Sequence, residues 1–252
     1  MNEQARMAQM LHLDVEPVGV FFACEAPADF EPGPDTRNCA ATLLLASAKG
    51  KTVALTEETC NCAGGAVGLC FGDGFARLNP RICDMLSQGL GDAAPQGARP
   101  MLVEGERFFQ TREAAERWRS SLPISACAYP RVVFAPLSRW AEIGTPDVVF
   151  VFAAPDALSA MVAMLGSHSG RACNVVAPMC AACQSVMFAA AEAGKDEPSA
   201  VMGLFDLSQR RAAVAEYLSL TMPYALWEGM SDGLGKSCLT THSWRKIEER
   251  LN

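Results

Sequence analysis

The run Val148-Val-Phe-Val-Phe-Ala153 constrains the fold more than any other stretch of the chain. Side chains of a strand alternate between two faces, so an unbroken apolar run buries both. Such a strand belongs at the centre of a sheet that is covered on each side. Other apolar runs with strand character occupy residues 18–22, 52–56, 131–137, 174–178, 200–205 and 217–222. Between them lie helical patterns at residues 3–13, 39–48, 111–120, 156–165, 223–230 and 243–251. Thr111 suits an N-cap, and Pro155 suits a first helical turn. The alternation predicts an α/β (or α+β) chain with a mixed sheet flanked by helices.

The order of these elements also suggests a repetition. Strand 18–22, helix 39–48, strand 52–56 and a cysteine pair match strand 148–152, helix 156–165, strand 174–178 and a second cysteine pair. A single domain over residues 1–252 is expected, built of pseudo-repeats at about 15–72 and 146–194 with a C-terminal strand and helix extension. The Pro-rich stretch 25–35 reads as a loop.

The two pairs, Cys60-Asn-Cys62 and Cys180-Ala-Ala-Cys183, each open a small-residue helical stretch. Thiolates are metal ligands, and the N–H groups of a helix N-terminus favour the thiolate. If the halves face each other, four thiols converge, as they do around zinc or an iron–sulfur cluster. The one-residue spacing of Cys60 and Cys62 is unusual for structural zinc, so a cluster is preferred. Cys39 is a further candidate, because Arg37 next to a helix start would favour its thiolate. Cys24, Cys70, Cys83, Cys127 and Cys173 read as buried small hydrophobes. Cys238 reads as a surface-loop thiol.

The remaining chemistry is sparse. The net charge of −7 and the lack of a basic run argue against nucleic acid. No run is long and apolar enough to span a bilayer, and the N-terminus lacks a signal-peptide core, so a cytoplasmic location is expected. Eleven cysteines cannot all pair, and a reducing compartment disfavours disulfides. His12, His168 and His242 show no metal-ligand spacing, and no dinucleotide, phosphate-loop or nucleophile-elbow motif occurs. Arg210 and Arg211, after a strand end, read as a solvated pair or an anion contact.

Several motifs resemble those of the bacterial and archaeal family called "domain of unknown function 169". They are the Pro17-Val-Gly-Val-Phe-Phe22 strand, Arg37-Asn-Cys39, Gly50-Lys-Thr-Val-Ala-Leu55 and Cys62-Ala-Gly-Gly-Ala-Val-Gly-Leu69. The central strand, the Cys180 region and Gly203-Leu-Phe-Asp-Leu-Ser-Gln-Arg210 before Met222-Pro-Tyr224 belong to the same resemblance. It implies a shared fold, frequent occurrence in anaerobes and recurring cysteines at Cys39, Cys62 and Cys180, with Cys60 or Cys183 as a fourth ligand.

The leading expectation is a cluster, of the 4Fe-4S type, with zinc as the alternative. Its ligands would come from Cys39, Cys60, Cys62, Cys180 and Cys183, in a redox or cofactor-handling role. A redox protein or small molecule is the expected partner, and homodimerisation is compatible with the sequence. The competing readings are a metal-free enzyme using Cys39 or Cys62 as nucleophile on a small acidic or acyl substrate, and a non-catalytic binding module.

Overall fold

The computed structural model describes residues 2–32, 39–210 and 216–251. The elements, in chain order, are α1 (Glu3–Met10), β1 (Val18–Ala23), β2 (Glu31–Pro32), α2 (Ala40–Ala48), β3 (Val53–Thr56) and α3 (Ala63–Gly68). Four short helices follow: α4 (Gly74–Leu78), α5 (Ile82–Leu86), α6 (Pro100–Val103) and α7 (Arg112–Ser120). Then come β4 (Arg131–Pro136), α8 (Trp140–Ile143), β5 (Val148–Ala153), α9 (Pro155–Ser169), β6 (Val175–Val176) and α10 (Ala182–Glu192). The chain ends with β7 (Ala200–Gly203), α11 (Leu207–Arg210), β8 (Leu218–Pro223), α12 (Tyr224–Asp232) and α13 (His242–Leu251).

The eight strands of the described residues form one mixed sheet, in the order β2-β3-β4-β1-β5-β8-β7-β6. The expected α/β class is therefore the observed one. Strand β5 sits at the centre, and each of its six residues is buried. Val148, Phe150 and Phe152 point into the core beneath α2 and α10. Val149, Val151 and Ala153 point into a second core, built with α1, α9, α12 and α13 on the opposite face. This is the two-sided burial that the unbroken apolar run requires. The short helices α4, α5 and α7 enclose a third cluster beside α3. No helix among the described residues is long and apolar enough to cross a membrane.

The sheet reads the same way outward from its centre in both directions. On one side β1 pairs antiparallel with β4, β4 antiparallel with β3, and β3 parallel with β2. On the other β5 pairs antiparallel with β8, β8 antiparallel with β7, and β7 parallel with β6. The halves join through β1 and β5, with Val18 opposite Phe150 and Val20 opposite Val148.

This order corrects the alignment expected from the sequence. That alignment set residues 52–56 against 174–178. The sheet gives β3 the place equivalent to β7, and β6 the place equivalent to β2. Cys39, between β2 and β3, thus corresponds in position to Cys180, between β6 and β7. Cys60 and Cys62 follow β3 as Asp206 follows β7.

Local chemistry explains the element ends. The Thr111 hydroxyl accepts the Ala114 N–H at 3.2 Å, as the expected N-cap does. Helix α2 stops before Gly50, whose φ of +103° suits glycine. Asp147 fastens β5 to both neighbours: its carboxylate accepts the Phe22 N–H at 2.8 Å and its carbonyl accepts the Tyr224 N–H at 3.1 Å.

The central core gives a direct test. Phe150→Ala deletes a fully buried ring from β5, with an expected loss of about 3–5 kcal/mol in chemical denaturation. Tyr129→Ala, at a ring 46% exposed, is expected to stay within about 0.5 kcal/mol of the parent.

Candidate functional site

Three thiols line one cavity. Cys39, Cys62 and Cys183 face a chamber of about 370 Å³ between the sheet-end loops and the short helices α4–α7. Cys60 stands beside Cys62, and both line a smaller crevice against Leu43, Leu55 and Gly65. Each thiol owes its place to a chain reversal. Cys39 is the N-cap of α2, and Cys62 is the N-cap of α3. Cys183 lies in the first turn of α10 and donates its S–H to the Gly64 carbonyl of α3 at 3.4 Å.

Small residues in α3 make this convergence possible. A Cβ added at Gly68 would stand 2.4 Å from the Cys183 carbonyl carbon and 2.6 Å from the Gln184 nitrogen. Real Cβ atoms do not approach a backbone so closely, so only glycine lets α3 lie against α10. A Cβ at Gly65 would meet Cys60 Sγ at 3.2 Å and Cys62 Sγ at 3.8 Å, which places both sulfurs over the same bare turn.

The thiols influence each other. Burial raises the pKa of Cys183 well above its usual value, and nearby Cys62, Cys39, Cys60 and Asp206 raise it further. Burial also raises Cys39, with added effects from Cys62 and Asp206; the Ala41 and Thr42 amides of α2 partly oppose them. Cys60 is pushed up to about 11, chiefly by burial and also by Cys62. Cys180 is different. It is pushed up to about 12 by burial alone and lines neither the chamber nor the crevice. Its carbonyl accepts the Phe205 N–H at 3.0 Å.

The structure therefore brings together Cys39, Cys60, Cys62 and Cys183, and sets Cys180 apart in the core. Among the described residues no three His, Cys, Asp or Glu side chains are grouped closely enough to hold one metal ion. Arg37, expected beside Cys39, and Arg211 lie outside the described residues. Arg210 donates to the Tyr217 carbonyl at 2.7 Å, next to the start of β8. Cys24 and Cys173, expected in the core, are exposed. Each lies at the end of an element, where the chain turns into solvent.

The opposite wall of the chamber was not foreseen. It is formed by Phe75, Ile82, Met85, Met101, Phe108 and Trp118. Trp118 packs on Phe75 and Phe109, and its indole N–H donates to the Met179 carbonyl at 3.0 Å. That bond ties α7 to the chain just before the second cysteine pair. Polar groups stand at its edges, among them Asn61, Arg99, Asp206 and Gln209. The Gln184 and Gln209 side-chain oxygens accept the Ala181 and Ala182 N–H groups at 2.9 and 3.1 Å. The N-terminus of α10 is thereby capped by the protein's own side chains. The apolar positions of α4, α5, α6 and α7 carried a sequence signal of apolarity, but helices of four to nine residues give too few turns for a clear period.

The model of the domain of unknown function 169 family, described as uncharacterised ArCR, matches residues 6–233. The chain belongs to that family. No curated protein and no solved structure matches it.

Two outcomes are expected. Gly68→Ala should lower stability by about 1–3 kcal/mol in chemical denaturation, because the added methyl must push α3 away from α10. The second concerns pH. A thiol whose folded pKa is raised keeps its proton when the unfolded thiol, with its usual value of 9.0, has lost it. Its contribution is fully present below pH 9 and is lost as pH rises through about 11 for Cys60 and about 12 for Cys180. Unfolding curves of the reduced protein between pH 8 and 11 should show stability falling more steeply in the parent than in Cys60→Ala.

Proposed function

We propose, from the site rather than from the family, that Cys39, Cys60, Cys62 and Cys183 hold an iron–sulfur cluster beside a chamber for a small organic molecule. The observation that carries this reading is the convergence of thiols from three helix starts, with Cys39, Cys62 and Cys183 on the chamber wall and Cys60 in the crevice beside Cys62. Without a cation the arrangement is costly to ionise, since Cys60 and Cys183 are buried, Cys39 and Cys62 are half-buried, and neighbouring thiolates would repel one another. Bound iron offsets that charge, as it does wherever thiolates hold a cluster. The donor set fits the group: soft sulfur ligands, helix-start amides at Cys39, and the bare glycine turn beneath Cys60 and Cys62.

The one-residue spacing of Cys60 and Cys62 favours a cluster over zinc. Bound there, the cluster would supply electron transfer or a Lewis-acidic iron. The chain's own part is to hold the thiolates, exclude water with the Phe75, Trp118 and Met85 wall, and orient a ligand through edge groups such as Asn61 and Asp206. The metal-free nucleophile reading is less well supported at Cys39, because burial keeps that thiol protonated despite the α2 amides.

Protein purified without oxygen is expected to be brown, with near-equal iron and sulfide and a broad visible band. Cys62→Ser and Cys183→Ser should each lose most of the iron, and Cys180→Ser should keep it. Full loss in Cys180→Ser with retention in Cys183→Ser would assign the ligands differently. A colourless, iron-free parent would end the cluster reading.

A further inference from the structure

A second thiol pair stands outside this site. Cys70 follows the last turn of α3, and Cys127 lies just before β4. Between them the chain forms an isolated antiparallel bridge, Phe71 opposite Ala126. The Cys127 N–H donates to the Cys70 carbonyl at 2.7 Å, and the Gly72 N–H donates to the Ser125 carbonyl at 3.2 Å. These bonds set the register and put Cys70 directly opposite Cys127. Residues so placed have Cα atoms about 4.5–5.5 Å apart, inside the span that a disulfide bridges.

Other observations agree. Cys70 and Cys127 line one surface cleft, shared with Thr56 and Arg131, so a reagent in solvent can reach them. Cys70 is itself buried, whereas Cys127 is half-buried. Burial raises the Cys70 pKa, a hydrogen bond with Ser125 opposes that, and the charge of Cys127 adds to the rise. Cys70 has a φ of +60°, a conformation that only a well-determined turn imposes on a non-glycine residue. The Cys70 N–H to Val67 carbonyl bond of 3.1 Å and the Phe71 N–H to Ala66 carbonyl bond of 2.8 Å hold that turn.

We propose that Cys70 and Cys127 are a redox pair that closes to an intramolecular disulfide with a low-molecular-weight disulfide as oxidant. The more exposed Cys127, as thiolate, attacks one sulfur of the oxidant and releases the first small thiol. Cys70 loses its proton to solvent and attacks the Cys127 sulfur. The protein S–S bond forms, the mixed disulfide breaks, and the second small thiol leaves. Two protein thiols are oxidised and one small disulfide is reduced to two thiols. The bond would tie the end of α3 to the segment entering β4. Because α3 starts at Cys62 and rests on Cys183 through Gly68, the closed pair braces the helix under the main site. The proposal does not depend on a cluster being bound there.

The test is peptide mapping of the folded, full-length protein after exposure to glutathione disulfide, with free thiols alkylated before digestion. The expected product is a peptide pair joined through Cys70 and Cys127, two hydrogens lighter than its parts. The link should vanish on reduction and be absent from Cys127→Ser. The parent's melting temperature should rise on oxidation, and that of Cys127→Ser should not. Exposed Cys24 reports that the oxidant acted. If Cys24 carries glutathione while Cys70 and Cys127 are both found alkylated, or Cys127 keeps glutathione without a link to Cys70, the proposal is overturned.

Discussion

The contact between Gly68 of α3 and the backbone of Cys183 and Gln184 in α10 decides the geometry of the whole cysteine site. The two halves of the sheet already meet through β1 and β5, but that pairing is short and lies in the middle of the core. The helices laid on one face bring the functional groups together. Because α3 has no side chain at Gly68, it comes close enough for the Cys183 thiol to reach the Gly64 carbonyl. Cys60 and Cys62 come with the start of α3, and Cys39 with the start of α2. Moving α3 outward by one methyl group would separate the thiols and also open the floor of the chamber.

The same arrangement groups two buried thiols, Cys60 and Cys183, with two half-buried ones, Cys39 and Cys62. A lone buried cysteine is an ordinary small hydrophobe. Cys39, Cys62 and Cys183 on the chamber wall, with Cys60 in the adjoining crevice, form a group that is costly to ionise unless a cation arrives. Asp206, at the position in its half equivalent to Cys60 and Cys62, adds to that charge at Cys39 and Cys183. The side chains of α4, α5, α6 and α7 that face the thiols across the chamber are largely apolar. On the proposed reading, the chamber would take an iron–sulfur cluster on its thiol side and an organic ligand against its apolar wall.

Much of the fold was legible in the chain. The run at residues 148–153 announced a central strand because both of its faces are apolar, and Thr111 and Pro155 marked helix starts through their capping chemistry. The repeat was read in the wrong alignment for a physical reason. Strand β2 has only two residues and sits in a Pro-rich stretch, so no alternation marks it. Without β2, strand β3 was matched to β6 instead of β7, and the two cysteine pairs seemed equivalent. Spacing alone also could not separate Cys180 from Cys183. A turn of backbone just before α10 sends one into the core and the other to the cavity. The aromatic wall stayed hidden because its helices are too short to show a period.

The most direct measurement is time-resolved alkylation of the native protein under anaerobic conditions, read cysteine by cysteine, before and after iron is removed by a chelator. The account predicts that Cys24 and Cys173 react at once in both samples. Cys39, Cys60, Cys62 and Cys183 should be protected together before chelation and released together after it, while Cys180 stays slow throughout. If those four react independently of one another, or their protection is unchanged by chelation, they do not form one cofactor site.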